Sequence, residues 1–200
     1  MQQQYFSVQH ALNLNVEAVK PQALPLDQQQ FEAEIPEPFR LSGENTTEEL
    51  ASLRGLKPLG EAGELLLAYL DRQANKLNRV LSYVLSHHDN AEQRCQSISF
   101  GGSELSFAWD SAFEVGQALR VKIFVPEENA AIYCYGEVER VEARPSQSPD
   151  ESDASSQIHV SYRWIREQDI ELLVRASLHI QTQQLKDRAN ARQQSQQNDQ

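Results

Sequence analysis

The sequence predicts an α+β protein: a small antiparallel barrel of five or six strands, with one long helix inserted after the first strand and a second helix at the C-terminal end. Three observations predict it. Apolar residues recur at spacings of three and four over residues 64–88; the period falls to two between Arg94 and Ile165; and the helical spacing returns from Glu167. With 200 residues, 40% of them apolar, the chain has enough material for one core. Residues 1–192 therefore read as a single domain. The Gln-rich stretches, 1–4 and 193–200, read as frayed, disordered tails.

The elements follow in order. Residues 5–19 alternate, with Leu12, Leu14 and Val16 on one face, and fit a first strand that Pro21 and Pro25 end. Residues 21–63 read as an acidic connector. From Asp27 to Glu64 there are nine acidic side chains and three basic ones. Thr46 and Glu49 have capping-box spacing, which suggests a helical turn over Thr46–Leu53. Residues 64–88 give the strongest helix. Leu67, Leu70, Ala74, Leu77, Leu81 and Val84 fill three heptads of a and d positions. Leu66, Val80 and Leu85 widen the stripe beyond a two-stranded seam, and His87 and His88 close the last turn, where the helix dipole favours positive charge.

The remaining barrel strands fall in 94–165. Ile98, Phe100, Leu105 and Phe107 alternate around a Gly101–Gly102 turn. Leu119, Val121, Ile123 and Val125 run up to Pro126, and Ile132, Cys134 and Val138 follow. Arg144–Gln157 has the composition of a surface loop. Ile158, Val160, Tyr162 and Trp164 form a last strand. A helix over 167–192 follows, with Ile170, Leu173, Val174, Leu178 and Leu185 on the side expected to be buried.

Composition narrows the function. A net charge of −11 repels phosphate backbones and anionic surfaces, so no DNA partner is expected. No apolar run approaches the roughly 20 residues of a membrane span. No basic stretch precedes an apolar one at the N-terminus, so no signal peptide is expected. Two cysteines make no disulfide framework, which suits a cytoplasmic setting. There is no Gly-x-Ser-x-Gly elbow, phosphate-cradling glycine loop or His-Glu-x-x-His, so no catalytic residue and no cofactor are assigned. His87, His88, Cys95, Cys134 and His159 match no zinc spacing, so no metal is expected. Tyr133 and Tyr135 face away from Cys134, which suits packing under a helix or contact with a protein.

The string Ser97-Ile98-Ser99-Phe100-Gly101-Gly102, then Leu105 and Phe107, then Gly116 before a strand ending in Pro126, resembles the PilZ domain. So do Val138–Val141, the variable loop, Ile158–Trp164, Ile165, Asp169 and a helix carrying Leu173 and Arg175. The helix inserted after the first strand resembles the atypical, oligomer-forming branch of that family. The resemblance implies a six-stranded PilZ-like β-barrel acting as receptor or adaptor in bacterial cyclic di-GMP signalling. Typical members hold the dinucleotide with an Arg-x-x-x-Arg stretch ahead of the first strand and an Asp/Asn-x-Ser-x-x-Gly turn. Arginine suits that ligand because it forks onto phosphate or guanine edges and stacks on bases. In this chain no arginine precedes Arg40, and Ser97 stands where the family has an acid or amide, although Ser99 and Gly102 match.

Two readings follow. In the first, the chain is a non-enzymatic adaptor in motility or surface-growth control. It self-associates through 64–88, with three or four chains meeting on Leu66, Leu67, Leu70, Ala74, Leu77, Val80, Leu81 and Val84, and it engages an unidentified protein partner. In the second, it binds cyclic di-GMP at a rearranged site made by Arg94, Ser97, Ser99, Gly101 and Gly102, with Arg94 substituting for the missing arginines.

Overall fold

The computed structural model describes residues 7–42, 60–110, 113–143 and 156–198. The helical turn expected at 46–53 and most of the loop expected at 144–157 lie outside the described residues. Seven strands form one antiparallel sheet: β1 (Ser7–Gln9), β2 (Asn13–Val19), β3 (Arg94–Gly101), β4 (Glu104–Trp109), β5 (Ala118–Val125), β6 (Ala130–Ala143) and β7 (Ser156–Trp164). Their order is β1-β3-β2-β5-β6-β7-β4, and β4 pairs with β3 as well as β7, so β2–β7 close into a six-stranded ring. Closure removes the exposed sheet edges that an open sheet of this size would present.

The first strand is interrupted. β1 and β2 pair with successive stretches of β3, Ser7 opposite Gly101 and Asn13 opposite Gln96, and leave the ladder at His10–Leu12. Alternation then sorts each strand. Leu119, Val121, Ile123 and Val125 point into the ring with Leu12, Leu14, Val16, Ile132, Cys134, Val138, Ile158 and Val160. On β3 a register shift between Ser97 and Ser99 breaks the expected alternation, so Phe100 is buried and Ile98 only half-buried. At Gly136, a second shift brings β6 so close to β7 that a Cβ would lie 2.3 Å from Val160 Cγ1 and 2.9 Å from the Ser161 carbonyl oxygen. Any side chain there would force the ladder apart.

The acidic segment after β2 carries two short helices, α1 (Gln28–Glu34) and α2 (Glu37–Ser42). Asp27 caps α1, its carboxylate accepting from the Gln30 amide at 2.8 Å. Phe31, Ile35 and Phe39 recur every fourth residue and are all buried. They pack on the outward side of β6, against Ala131, Tyr133 and Tyr135, as a second apolar cluster. β6 is consequently buried on both sides from Ala130 to Gly136. Beyond the end of β7, Ser42 covers the bare backbone of β6: its Oγ accepts from Ala131 N at 3.1 Å and donates to Ala131 O at 2.8 Å.

The inserted helix is α3 (Glu61–Ser86) and the C-terminal one is α4 (Glu167–Asn198). α4 seals the ring with Leu172, Leu173, Ala176 and Ile180. Leu178 and Leu185, expected on the buried side, are exposed, because the contact face is set by the 172/173/176/180 stripe. The first turn of α4 is fixed by Arg166, which forks onto Asp169 with two 2.8 Å bonds and donates to the Phe39 carbonyl at 2.9 Å. Burial pushes the Asp169 carboxyl above its ordinary range, against the pull of Arg166.

Candidate functional site

Two features carry the expectations raised by the sequence, the Ser97–Gly102 stretch and α3. Ser97–Gly101 is the second half of β3 rather than a turn, and the Ser97 hydroxyl occupies the break in the first strand. It donates to the His10 carbonyl at 2.7 Å and accepts from the Leu12 amide at 2.8 Å. Backbone bonds flank it on both sides, Ser97 N to Leu12 O at 2.9 Å and His10 N to Ile98 O at 3.2 Å. Ser97 is 4% exposed, so its hydroxyl serves as a rung of the ladder. Ser99 Oγ lies 2.7 Å from Ser106 Oγ, to which Gln157 also donates at 3.4 Å. Gly101 and Gly102 are buried, with Gly101 paired to Ser7.

Arg94 lies elsewhere. It stands three residues before Ser97 on β3, which puts the two side chains on opposite faces of the strand and roughly 10 Å apart along it. Its guanidinium binds Asp89, with Nη2 at 2.8 Å from Oδ2 and Nε at 3.1 Å from Oδ1. The residues of the rearranged-site reading are thus strung along β3 with separate partners: Arg94 on Asp89, Ser97 on the break in the first strand and Ser99 on Ser106. Cys134 is a core residue, and His87, Cys95 and His159 are spread over α3, β3 and β7. Among the described residues no three of His, Cys, Asp and Glu are grouped as metal ligands, and no helix is long and apolar enough to cross a membrane.

Arg94 belongs to a joint that fixes the C-terminal end of α3 on the barrel. Asn15 donates to Asp89 Oδ1 at 2.8 Å and accepts from the Asn90 amide at 2.8 Å. Lys122 donates to the His88 carbonyl at 3.0 Å, so the cation that complements the helix end comes from β5. Burial first, then Lys122 and His87, push the His88 pKa below its ordinary value. Next to the joint, Glu17 pairs with Arg120, whose hydrogen bond, opposed by burial, holds the Glu17 carboxyl below its usual range. Burial works to raise Asp89, but hydrogen bonds from Arg94 and Asn15 outweigh it and hold that carboxyl low as well.

The rest of α3 is sparsely covered. Leu81 and Leu85 pack on the second cluster, and Phe39 meets the His88 ring edge-on at 5.5 Å. At 100° per residue, Leu65, Leu66, Tyr69, Gln73, Lys76, Leu77, Val80, Tyr83 and Val84 fall within one arc of about 120°. Every one of these is exposed. Gly63, Leu67, Leu70, Ala74, Asn78, Leu81 and Leu85 form a neighbouring, less exposed arc. The predicted seam is thus divided. Leu66, Leu77, Val80 and Val84 face solvent, whereas Leu67, Leu70, Ala74 and Leu81 are half-buried. The heptad reading missed Leu65, Tyr69 and Tyr83, all exposed. Their spacing places them on the outer arc, which the plain a/d pattern meets only at Leu77 and Val84.

This closed ring with an inserted helix and a terminal helix is a PilZ-like fold of the atypical, helix-inserted type. The chain resembles a Xanthomonas campestris pathogenic protein, described as a tetrameric PilZ domain self-assembled via an unusual helical bundle. The identity is 13%, the match covers 91% of each chain, and the TM-score is 0.54. It also matches the Bacillus subtilis inhibitor of motility MotI/DgrA at 14% identity and TM-score 0.46, over 92% of this chain and 52% of that one. This chain thus spans about half the length of the Bacillus protein. The PilZ domain of YcgR from Escherichia coli with c-di-GMP matches 51% of this chain and 83% of its own length at 7% identity and TM-score 0.39. No family model matches the sequence. No curated protein matches it either.

Proposed function

We propose that this protein is a non-catalytic, cytoplasmic adaptor of bacterial cyclic di-GMP signalling that self-associates through α3 and acts by protein contact in motility or surface-growth control. The observation that carries the proposal is an apolar face of α3 with nothing on it among the described residues, where Leu65, Leu77 and Tyr83 are 67%, 68% and 68% exposed. Burying a large apolar side chain is worth about 1.5–3 kcal/mol. Seven such side chains on one helix can offset the about 4–15 kcal/mol that association costs. The tetramer described for the Xanthomonas protein supports the same use of this helix. The expected result is a mass in solution several times that of one chain by sedimentation equilibrium; a single-chain mass at tens of micromolar would contradict it.

A receptor reading rests on the Ser97, Ser99, Gly101 and Gly102 pattern. In the adaptor reading these groups are spent on the barrel: the Ser97 hydroxyl already has a donor and an acceptor, and Ser99 has Ser106. Losing two charge-assisted arginine contacts, at about 1.5–3 kcal/mol each, weakens binding by roughly two to four powers of ten. Calorimetric titration with cyclic di-GMP is therefore expected to give no saturable heat at about 100 µM protein. Saturation at low micromolar ligand, abolished by Arg94→Ala, would favour the receptor.

A further inference from the structure

Helices α2, α3 and α4 meet at one residue, Phe39, which lies in the last turn of α2 and is fully buried. Its ring is 5.5 Å from that of His88 at the end of α3, and 6.1 and 6.2 Å from Tyr133 on β6 and Phe124 on β5. A carbonyl in the last turn of a helix has no intrahelical amide. That of Phe39 accepts instead from Arg166 Nη2 at 2.9 Å, at the entry to α4, and from Ser42 Oγ at 3.1 Å. We infer that Arg166 and Phe39 form a relay through which the first turn of α4 holds the C-terminal turn of α3 in its seat. Arg166 itself makes no hydrogen bond to α3 among the described residues.

The Arg166 end of the relay is stiff. Its side chain is 11% exposed and forks onto Asp169, whose side chain is 0% exposed, through two bonds of 2.8 Å. Nη2 serves both the fork and the Phe39 carbonyl, so the fork cannot turn without leaving that carbonyl. Ser42 is a weaker hold on the same oxygen. Its hydroxyl has one proton, shared between Phe39 O at 3.1 Å and Ala131 O at 2.8 Å. Nη1 of Arg166 has no bond among the described residues. The side chain lines an open cleft of about 360 Å³ with Glu32, Ile35, Arg40, Glu167 and Gln168, so this end of the relay is reached from solvent.

At the other end, Leu85 and the half-buried Leu81 share the second apolar cluster with Phe39, and the His88 ring meets Phe39 edge-on. The polar ties here come from the barrel: Lys122 on the His88 carbonyl, and Asn15 and Arg94 on Asp89. They hold the chain just past the helix and leave the apolar side of its last turn to the cluster around Phe39. A shift of Phe39 is passed on to that turn, because close-packed side chains leave no void to absorb it. Every contact in the relay lies within one chain, so self-association is neither needed for it nor tested by it.

The test is amide hydrogen exchange in the full-length protein and in Arg166→Gln, Phe39→Leu and the double variant. Arg175→Gln is the comparator, since it loosens a different tie of α4, to Glu128. The expected result is exchange over 81–88 about tenfold faster in Arg166→Gln, with 119–125 in β5 unchanged. In the Phe39→Leu background the same substitution is expected to add less than about twofold, because the relay is already cut. Arg175→Gln is expected to leave 81–88 as it was. Asp169→Asn loosens the fork without removing it and is read by the same criteria, so an Arg166→Gln chain that does not fold leaves the test in place. Exchange over 81–88 that stays unchanged in Arg166→Gln, or that rises equally with 119–125, would overturn the relay. So would an equal rise in Arg175→Gln, or a full second increment in the Phe39→Leu background.

Discussion

Ser97 shows how one side chain can decide what a site is free to do. In a ladder, each backbone amide and carbonyl must find a partner. At His10–Leu12 the first strand lacks them, and a hydroxyl from β3 supplies both bonds at 2.7 and 2.8 Å. Replacing Ser97 by alanine strands the buried Leu12 amide, at about 1–3 kcal/mol for one unsatisfied group, and frees the part-buried His10 carbonyl. Urea denaturation of Ser97→Ala is expected to show a loss of that size with an unchanged m-value. An unchanged midpoint would mean that the rung contributes nothing. The sequence disclosed Ser97 only as a departure from a family pattern. Its structural duty was illegible because its partners stand 85 and 87 residues away in the chain, at a break that no periodicity announces.

At the scale of elements, the joint between α3 and the barrel is polar and titratable. Glu17 and Asp89 are both held below their ordinary values, so the unfolded chain binds more protons than the folded one as pH falls through the carboxylate range. Their contribution is present above the unfolded pKa values and lost as pH drops through the lower folded ones. Thermal melts between about pH 5 and pH 2 are expected to lose stability steadily, and Asp89→Asn is expected to flatten that slope. An Asp89→Asn protein with the original slope would remove this carboxylate from the account. Asp169 acts with the opposite sign, since burial raises it. The elements were unevenly legible. Period two exposed the barrel strands because each has one face inside the ring. The helices of the acidic segment escaped notice because its charge masked Phe31, Ile35 and Phe39, although their fourfold spacing marks a buried face. In α4, apolar residues lie on both sides of the helix, so the sequence alone could not choose between Leu178 and Ile180.

The whole molecule is a ring in which the Ser97–Gly102 stretch is knitted into the ladder, carrying a helix whose outer face has nothing on it among the described residues. The long helix was legible as a helix, but which of its faces looks outward was not. That choice depends on how Leu81 and Leu85 settle against α2 and β6, a tertiary fact. The most direct test compares the mass of the full chain with that of Leu77→Asp/Val80→Asp, two exposed positions where a carboxylate costs the folded single chain little. The account predicts a multimer for the unsubstituted protein and a folded single chain, with the same circular dichroism, for the double variant. A double variant that keeps the multimeric mass would contradict the assignment of self-association to this face of α3.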